Sequence, residues 1–247
     1  MIASSSACRR RAEPRAIVLP APAGGAPAIE ADAGDAVVED ARRYPVRTWS
    51  FPLATHDVRI EDVGLTGALD GVLERTGAEL VVNGGFFDRE GKPLGLAMSG
   101  GAQIAPLAKS LSGGVVTIDS ERARLFATES FAMPEGVRFA VQCRPRLVVS
   151  GAANVRSDDG KRSERTALCL KDGGRTLDVV VVRAADAGDE AGPSLFALGR
   201  YLATHGCEDA LNLDGGPSTG AAWRESGAIR FEKPRGPVRH AIAIVRR

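Results

Sequence analysis

Long apolar runs are missing from this sequence. The most extended stretch of strongly apolar residues is Val179–Val182, far short of the ~18 that a membrane-spanning helix needs. No transmembrane segment is expected. A one-signed charge is missing too: 32 Lys plus Arg stand against 31 Asp plus Glu, a formal net charge of +1. Such a balance gives no field for holding nucleic acid or an anionic membrane, so any anion must be met by local groups. Histidine is scarce. His56, His205 and His240 lie far apart with no HxH or HExxH pattern, and no metal site or cofactor is expected. The four cysteines form no CxxC pair, which argues against a zinc knuckle or a dense disulfide scaffold. They read as buried small hydrophobes, or as the source of one disulfide among Cys143, Cys169 and Cys207 if the chain is exported. Aromatics amount to only 5%, whereas Gly (29) and Pro (14) are plentiful. Tight turns joining short strands around a core of Val, Leu, Ile and Ala fit that composition.

Residues 1–35 mix Pro, Ala, Gly and Arg without periodicity and read as a flexible tail, leaving one domain over residues 36–247. Ala16–Leu19 is cut off by Pro20, too short for the apolar core of a secretory signal, about 7–15 residues. A misplaced start codon, with Ser5–Cys8 ending a longer lipoprotein signal, is the alternative. Strand patterns follow at 46–51, 58–63, 79–82, 114–118, 123–127, 138–142, 146–150, 166–171, 176–182, 210–213 and 238–245. Helical spacing appears at 66–76, with Thr66 as N-cap and Gly77 beyond its end, and at 193–205, with Leu195, Leu198 and Leu202 on one face. The expected fold class is α+β: a single domain on a mostly antiparallel or mixed β-sheet, with a few helices. Nothing in charge or patterning selects an oligomeric state.

Asp-Gly-Gly occurs twice. At 172–174 it joins two alternating strands and reads as a hairpin turn. At 214–216 it follows the apolar stretch Ala210–Leu213 and runs on into Pro217-Ser218-Thr219-Gly220, more than a hairpin needs. Successive glycines can turn backbone N–H groups inward around an anion, with Ser218 and Thr219 adding hydroxyls beside the Asp214 carboxylate. The same residues match G-x-S-x-G, but no helix-forming stretch follows Ser218, and His240 comes too soon for the remaining elements of an α/β-hydrolase. Asn83-Gly84-Gly85-Phe86-Phe87 is a second turn after an apolar strand, its paired phenylalanines placed to form an apolar wall or a sugar platform. Arg165-Thr166-Ala167 opens a third strand with a guanidinium suited to a phosphate oxyanion.

These pieces, NGGFF, RTA before an apolar strand and ALNLDGG-x-S, together resemble the phosphodiester glycosidase family, which includes the domain of the mannose-6-phosphate uncovering enzyme and bacterial relatives. The resemblance runs from about Leu80 to Val245 and includes Pro145–Val148 and the closing Arg239–Val245 stretch. Where the family usually carries Gly, this sequence has Pro217, which brings no N–H.

The resemblance implies hydrolysis of a sugar-1-phosphodiester to free sugar and a phosphomonoester, on a small molecule or a glycan. It implies Asp214 as the carboxylate that activates water or stabilises the oxocarbenium-like centre. Arg165 and the Gly215 and Gly216 N–H groups would clamp the phosphate with help from Ser218 and Thr219. Asn83 would hold a sugar hydroxyl or the phosphate, and Gly84, Gly85, Phe86, Phe87, Thr166 and Asn212 would line the site. It also favours a periplasmic, lipid-anchored or secreted location. The competing expectation is a non-catalytic cell-envelope protein that binds anionic glycan through the same groups.

Overall fold

The computed structural model describes residues 35–64, 68–186 and 191–247. In chain order the elements are β1 (Ala36–Glu39), β2 (Arg42–Pro52), β3 (His56–Asp62), α1 (Leu69–Thr76), β4 (Leu80–Asn83), β5 (Ala97–Ser99), β6 (Ala102–Ala105), β7 (Gly114–Ile118), β8 (Ala123–Ala127), β9 (Phe139–Cys143), β10 (Arg146–Val149), β11 (Ala152–Ala153), β12 (Arg165–Lys171), β13 (Thr176–Val182), α2 (Leu195–Thr204), β14 (Asp209–Asn212), β15 (Ala221–Glu225), β16 (Ala228–Glu232) and β17 (His240–Arg246). Three sheets result, ordered β1-β2-β13-β12-β14-β10-β11, β16-β15-β4-β17-β3 and β6-β5-β9-β7-β8.

Every strand pair among the described residues is antiparallel. The architecture is therefore mostly β, and α+β describes it only loosely: each of the two α-helices among the described residues covers one outer sheet face. Residues that alternate along a strand point to opposite faces. Leu177, Val179 and Val181 of β13 enter the central core with Trp49, Phe51 and Trp223, while Val180 and Val182 pack under Leu198 and Leu202 of α2. That double burial explains why Val179–Val182 is continuously apolar. Leu69, Val72 and Leu73 of α1 cover Val81, Ala222, Ala241 and Ala243 on the second sheet. Each such buried side chain contributes about 1.5–3 kcal/mol relative to exposure.

The expected elements are all present, several with shifted ends. The helix expected at 66–76 begins at Leu69 with Ala68 as its N-cap; Thr66 lies outside the described residues. Gly77 closes α1, and Ser194 caps α2 by accepting from the Ala197 N–H at 3.0 Å. The Asp172-Gly173-Gly174 turn does join an antiparallel pair, but Lys171 faces Thr176, so residues 172–175 form a longer loop containing a 3₁₀ turn. Strands β1, β5, β6, β11, β15 and β16 carry weaker patterns that alternation did not reveal. Of the two cysteine readings, the single disulfide holds: Cys169 and Cys207 are bonded, joining β12 to the segment after α2. Cys143 remains free and buried, and Cys8 lies outside the described residues.

Candidate functional site

Asn83 ends β4 on the second sheet, and its side chain reaches the first. Its Oδ1 accepts from the Thr166 hydroxyl at 2.7 Å and from the Gly220 N–H at 3.3 Å. Its Nδ2 donates to the Asp214 carbonyl oxygen at 2.7 Å and to the Gly84 carbonyl oxygen at 3.4 Å. Two acceptor positions and two amide hydrogens account for the whole capacity of an Asn side chain. With 1% of its surface exposed, Asn83 has nothing left to offer a sugar or phosphate. The ligand-holding role expected of it becomes a clamping role. Backbone bonds reinforce the clamp: Asp214 N donates to Gly84 O at 3.2 Å and Leu213 N to Thr166 O at 2.8 Å. The asparagine turn, the start of β12 and the Asp-Gly-Gly loop thus converge, although 131 positions separate Asn83 from Asp214.

The loop after β14 differs from an open anion nest. Gly215 N donates to Asp214 Oδ1 at 2.9 Å, Gly216 N to Glu164 O at 2.8 Å, Ser218 N to Gly215 O and Thr219 N to Gly216 O. Pro217 has no N–H, so every backbone donor of residues 215–219 is already engaged within the protein. The Ser218 hydroxyl donates to Pro237 O at 3.0 Å. The Thr219 side-chain oxygen is buried with no partner. Residues 216–218 form one 3₁₀ turn leading into β15, without the helix a nucleophile elbow requires. Asp214 is half-buried; burial pushes its pKa above the usual aspartate range, opposed by the hydrogen bond from the Gly215 N–H. A partly dehydrated carboxylate of this kind is a stronger base than one in water.

Arg165 lies beside this loop. A Cβ placed on Gly215 would sit 3.8 Å from Arg165 Cδ and only 2.7 Å from the Glu164 carbonyl oxygen, so glycine permits the close passage of β12. The guanidinium donates from Nε to Pro193 O at 3.2 Å and from Nη2 to Lys161 O at 3.4 Å. It makes no ion pair among the described residues. Burial pulls its pKa down, partly offset by Asp159, and an arginine still remains charged at neutral pH.

A buried charge network behind the loop was not legible in the sequence. Glu164, 2% exposed, lies 3.2 Å from Arg183 Nε and 3.1 Å from Arg235 Nη2, and accepts from Ala184 N at 3.0 Å. Arg183 donates to Thr219 O at 2.7 Å. These charges come from separate elements and carry no shared motif; only folding places them together.

The remaining expected residues divide between structure and surface. Phe86 packs against the central core, so the apolar wall falls to Phe87, whose ring meets His240 edge-on at 6.4 Å. A Cβ on Gly84 would come within 2.7 Å of His240 Cδ2, and one on Gly85 within 3.4 Å of Val141. His240, weighed in the sequence for a serine triad that was set aside, lies against this turn, and its backbone oxygen accepts from Gly84 N at 2.9 Å. Burial lowers its pKa to about 4, with Asp62 pulling it back up, so the ring is neutral at pH 7. Asn212 Nδ2 donates to Arg144 O and Leu213 O, whereas its Oδ1 is buried without a partner. Cys143 is fully enclosed near Asp214, and burial pushes its thiol up to about 12, which leaves it inert as a nucleophile. No group of three or more His, Cys, Asp or Glu side chains among the described residues is arranged to hold a metal ion.

Comparison with known proteins gives a consistent result. The model of the phosphodiester glycosidase family matches residues 76–245. Among solved structures, the zebrafish N-acetylglucosamine-1-phosphodiester alpha-N-acetylglucosaminidase catalytic domain, auto-inhibited by its pro-peptide, superposes with a TM-score of 0.66 at 19% identity, over 90% of this chain and 85% of that one. A hypothetical protein from Synechocystis superposes at 0.63 with 16% identity over 86% of this chain, which spans only 61% of that protein's length. A protein of Burkholderia pseudomallei gives 0.58 at 14% identity, covering 83% and 74% of the two chains. At these identities the solved structures establish a shared fold. No curated protein matches by sequence.

Proposed function

The chain belongs to the phosphodiester glycosidase family, and on that footing we propose that it is a hydrolase of sugar-1-phosphodiesters. Water replaces the phosphate ester at the anomeric carbon: the C1–O bond breaks, the water oxygen stays on the sugar, and a phosphomonoester departs. The zebrafish neighbour's name describes action on this class of bond.

The observation that carries the reading is the Asn83 side chain joining Asp214, Thr166 and Gly220, which brings Asp214 and Arg165 to one end of the sheets. A phosphate monoester is already a competent leaving group, so general-acid help matters less than charge stabilisation. Asp214, its basicity raised by burial, activates water or faces the developing oxocarbenium ion. Because the loop amides are engaged internally, the clamp on phosphate falls chiefly to Arg165, whose guanidinium has no carboxylate partner among the described residues. Phe87 supplies an apolar surface for the sugar. The Cys169–Cys207 disulfide supports a location in an oxidising compartment.

Purified protein incubated with a panel of sugar-1-phosphodiesters tests the reading. Free reducing sugar and a phosphomonoester in equal amounts are expected; binding without turnover across the panel favours a non-catalytic glycan binder instead.

A further inference from the structure

A cavity of about 590 Å³ opens beside His240, on the side of the Asn83–Phe87 turn formed by β3, β6, β17 and the Asp88–Pro93 segment. Its volume lies within the range of small-molecule sites. Ile60, Ala105, Pro93 and Pro106 supply apolar wall, and Ile104 stands at the mouth with 52% of its surface exposed. Asp62, Asp88, Lys92 and Arg239 supply charge. The two cations balance the two carboxylates, so the lining favours no net charge in its occupant.

The polar groups are incompletely engaged. Oδ1 of Asp62 accepts from Gly64 N at 2.8 Å and Oδ1 of Asp88 from Lys92 N at 2.8 Å; the second oxygen of each carboxylate makes no hydrogen bond among the described residues. The Lys92 and Arg239 side chains make no ion pair there either. His240 is 7% exposed, and among the described residues neither ring nitrogen has a hydrogen-bond partner; Nδ1 is sealed from solvent, so Nε2 is the nitrogen within reach of a ligand. A ring nitrogen at a cavity wall with no protein partner is free to meet a ligand hydroxyl. An imidazole offers one donor and one acceptor, and carboxylate oxygens accept from hydroxyl groups. Apolar walls beside such groups match a ring that has hydroxyls at its edge and C–H bonds on its faces.

We propose that this cavity is a saccharide subsite, in which His240, Asp62 and Asp88 hydrogen-bond the hydroxyls of a neutral sugar unit and Ile60, Ile104 and Pro106 pack against its C–H faces. The choice of a sugar as ligand rests on the proposed hydrolase reading. The subsite adjoins the reaction centre through Gly84, whose carbonyl accepts from Asp214 N while its own N–H donates to His240 O. The substrate is then a glycan carrying sugar beyond the unit joined to phosphate.

Calorimetric titration of the full chain with cellobiose, maltose and N,N′-diacetylchitobiose tests the subsite without any hydrolysis. At least one disaccharide is expected to bind with a millimolar dissociation constant. His240→Leu should weaken it by about tenfold, the loss of one buried hydrogen bond. Ile104→Trp, at the exposed mouth and clear of the core, should weaken it comparably by filling the entrance; it decides the matter if the histidine variant fails to fold. Binding of none of the three disaccharides, or undiminished binding by the folded variants, overturns the proposal. Failure of the hydrolase reading shows separately, as absent turnover of sugar phosphodiesters.

Discussion

The Asn83 side chain donates to the backbone oxygen of Asp214 at 2.7 Å, and that contact holds two sheets in the register the site needs. Replacement by alanine removes four hydrogen bonds and leaves the Thr166 hydroxyl and the Gly220 N–H unsatisfied in a buried setting. Asn83→Ala is expected to lower unfolding free energy by about 2–4 kcal/mol. Thr166→Val, which removes a single bond, should cost about 1 kcal/mol. Urea denaturation measures both; equal losses would contradict the clamping role of Asn83.

Asp214→Asn should reduce turnover by about 10³-fold or more while leaving the fold intact. The same substitution should raise the melting temperature near neutral pH, because a carboxylate whose folded pKa is raised destabilises the folded state once it ionises. An unchanged rate with unchanged stability would remove Asp214 from the account.

His240 sets an acid limit on stability. Its folded pKa is lowered to about 4 from 6.5, so the unfolded chain takes up the proton first. Its contribution is complete above pH 6.5 and is lost as pH falls towards about 4, on the order of 3 kcal/mol across that window. Melting temperatures measured from pH 7.5 to 4 should fall less steeply for His240→Asn than for the natural chain. Parallel curves would show that the ring ionises as freely folded as unfolded.

The Cys169–Cys207 disulfide spans a sequence separation of 38, for which loop-closure entropy gives about 4 kcal/mol of stabilisation. The Cys169→Ser/Cys207→Ser double variant should melt well below the natural chain, and added reductant should change its melting temperature little. Equal melting temperatures for the double variant and the oxidised natural chain would contradict this.

Much of the fold could be read from periodicity, because long strands such as β12 and β13 and the amphipathic α2 carry strong patterns. Short strands such as β5 and β11, of three and two residues, did not stand out because so few residues cannot display alternation. Asp214, Arg165 and the Asn83 turn were legible as an ordered set of motifs. The closure of the loop amides was not, because Gly216 N finds its acceptor on Glu164, a residue whose position only the folded chain defines. The Glu164–Arg183–Arg235 cluster and the place of His240 beside Gly84 were hidden for the same reason: each joins side chains from separate strands or loops.

The most direct measurement is hydrolysis of a cleaved sugar-1-phosphodiester in ¹⁸O water, with mass analysis of both products. Attack at the anomeric carbon places the label in the released sugar and none in the phosphomonoester, and Asp214→Asn should abolish the labelled sugar. Label appearing in the phosphomonoester would mean cleavage at phosphorus, and would contradict glycosidic hydrolysis at this site.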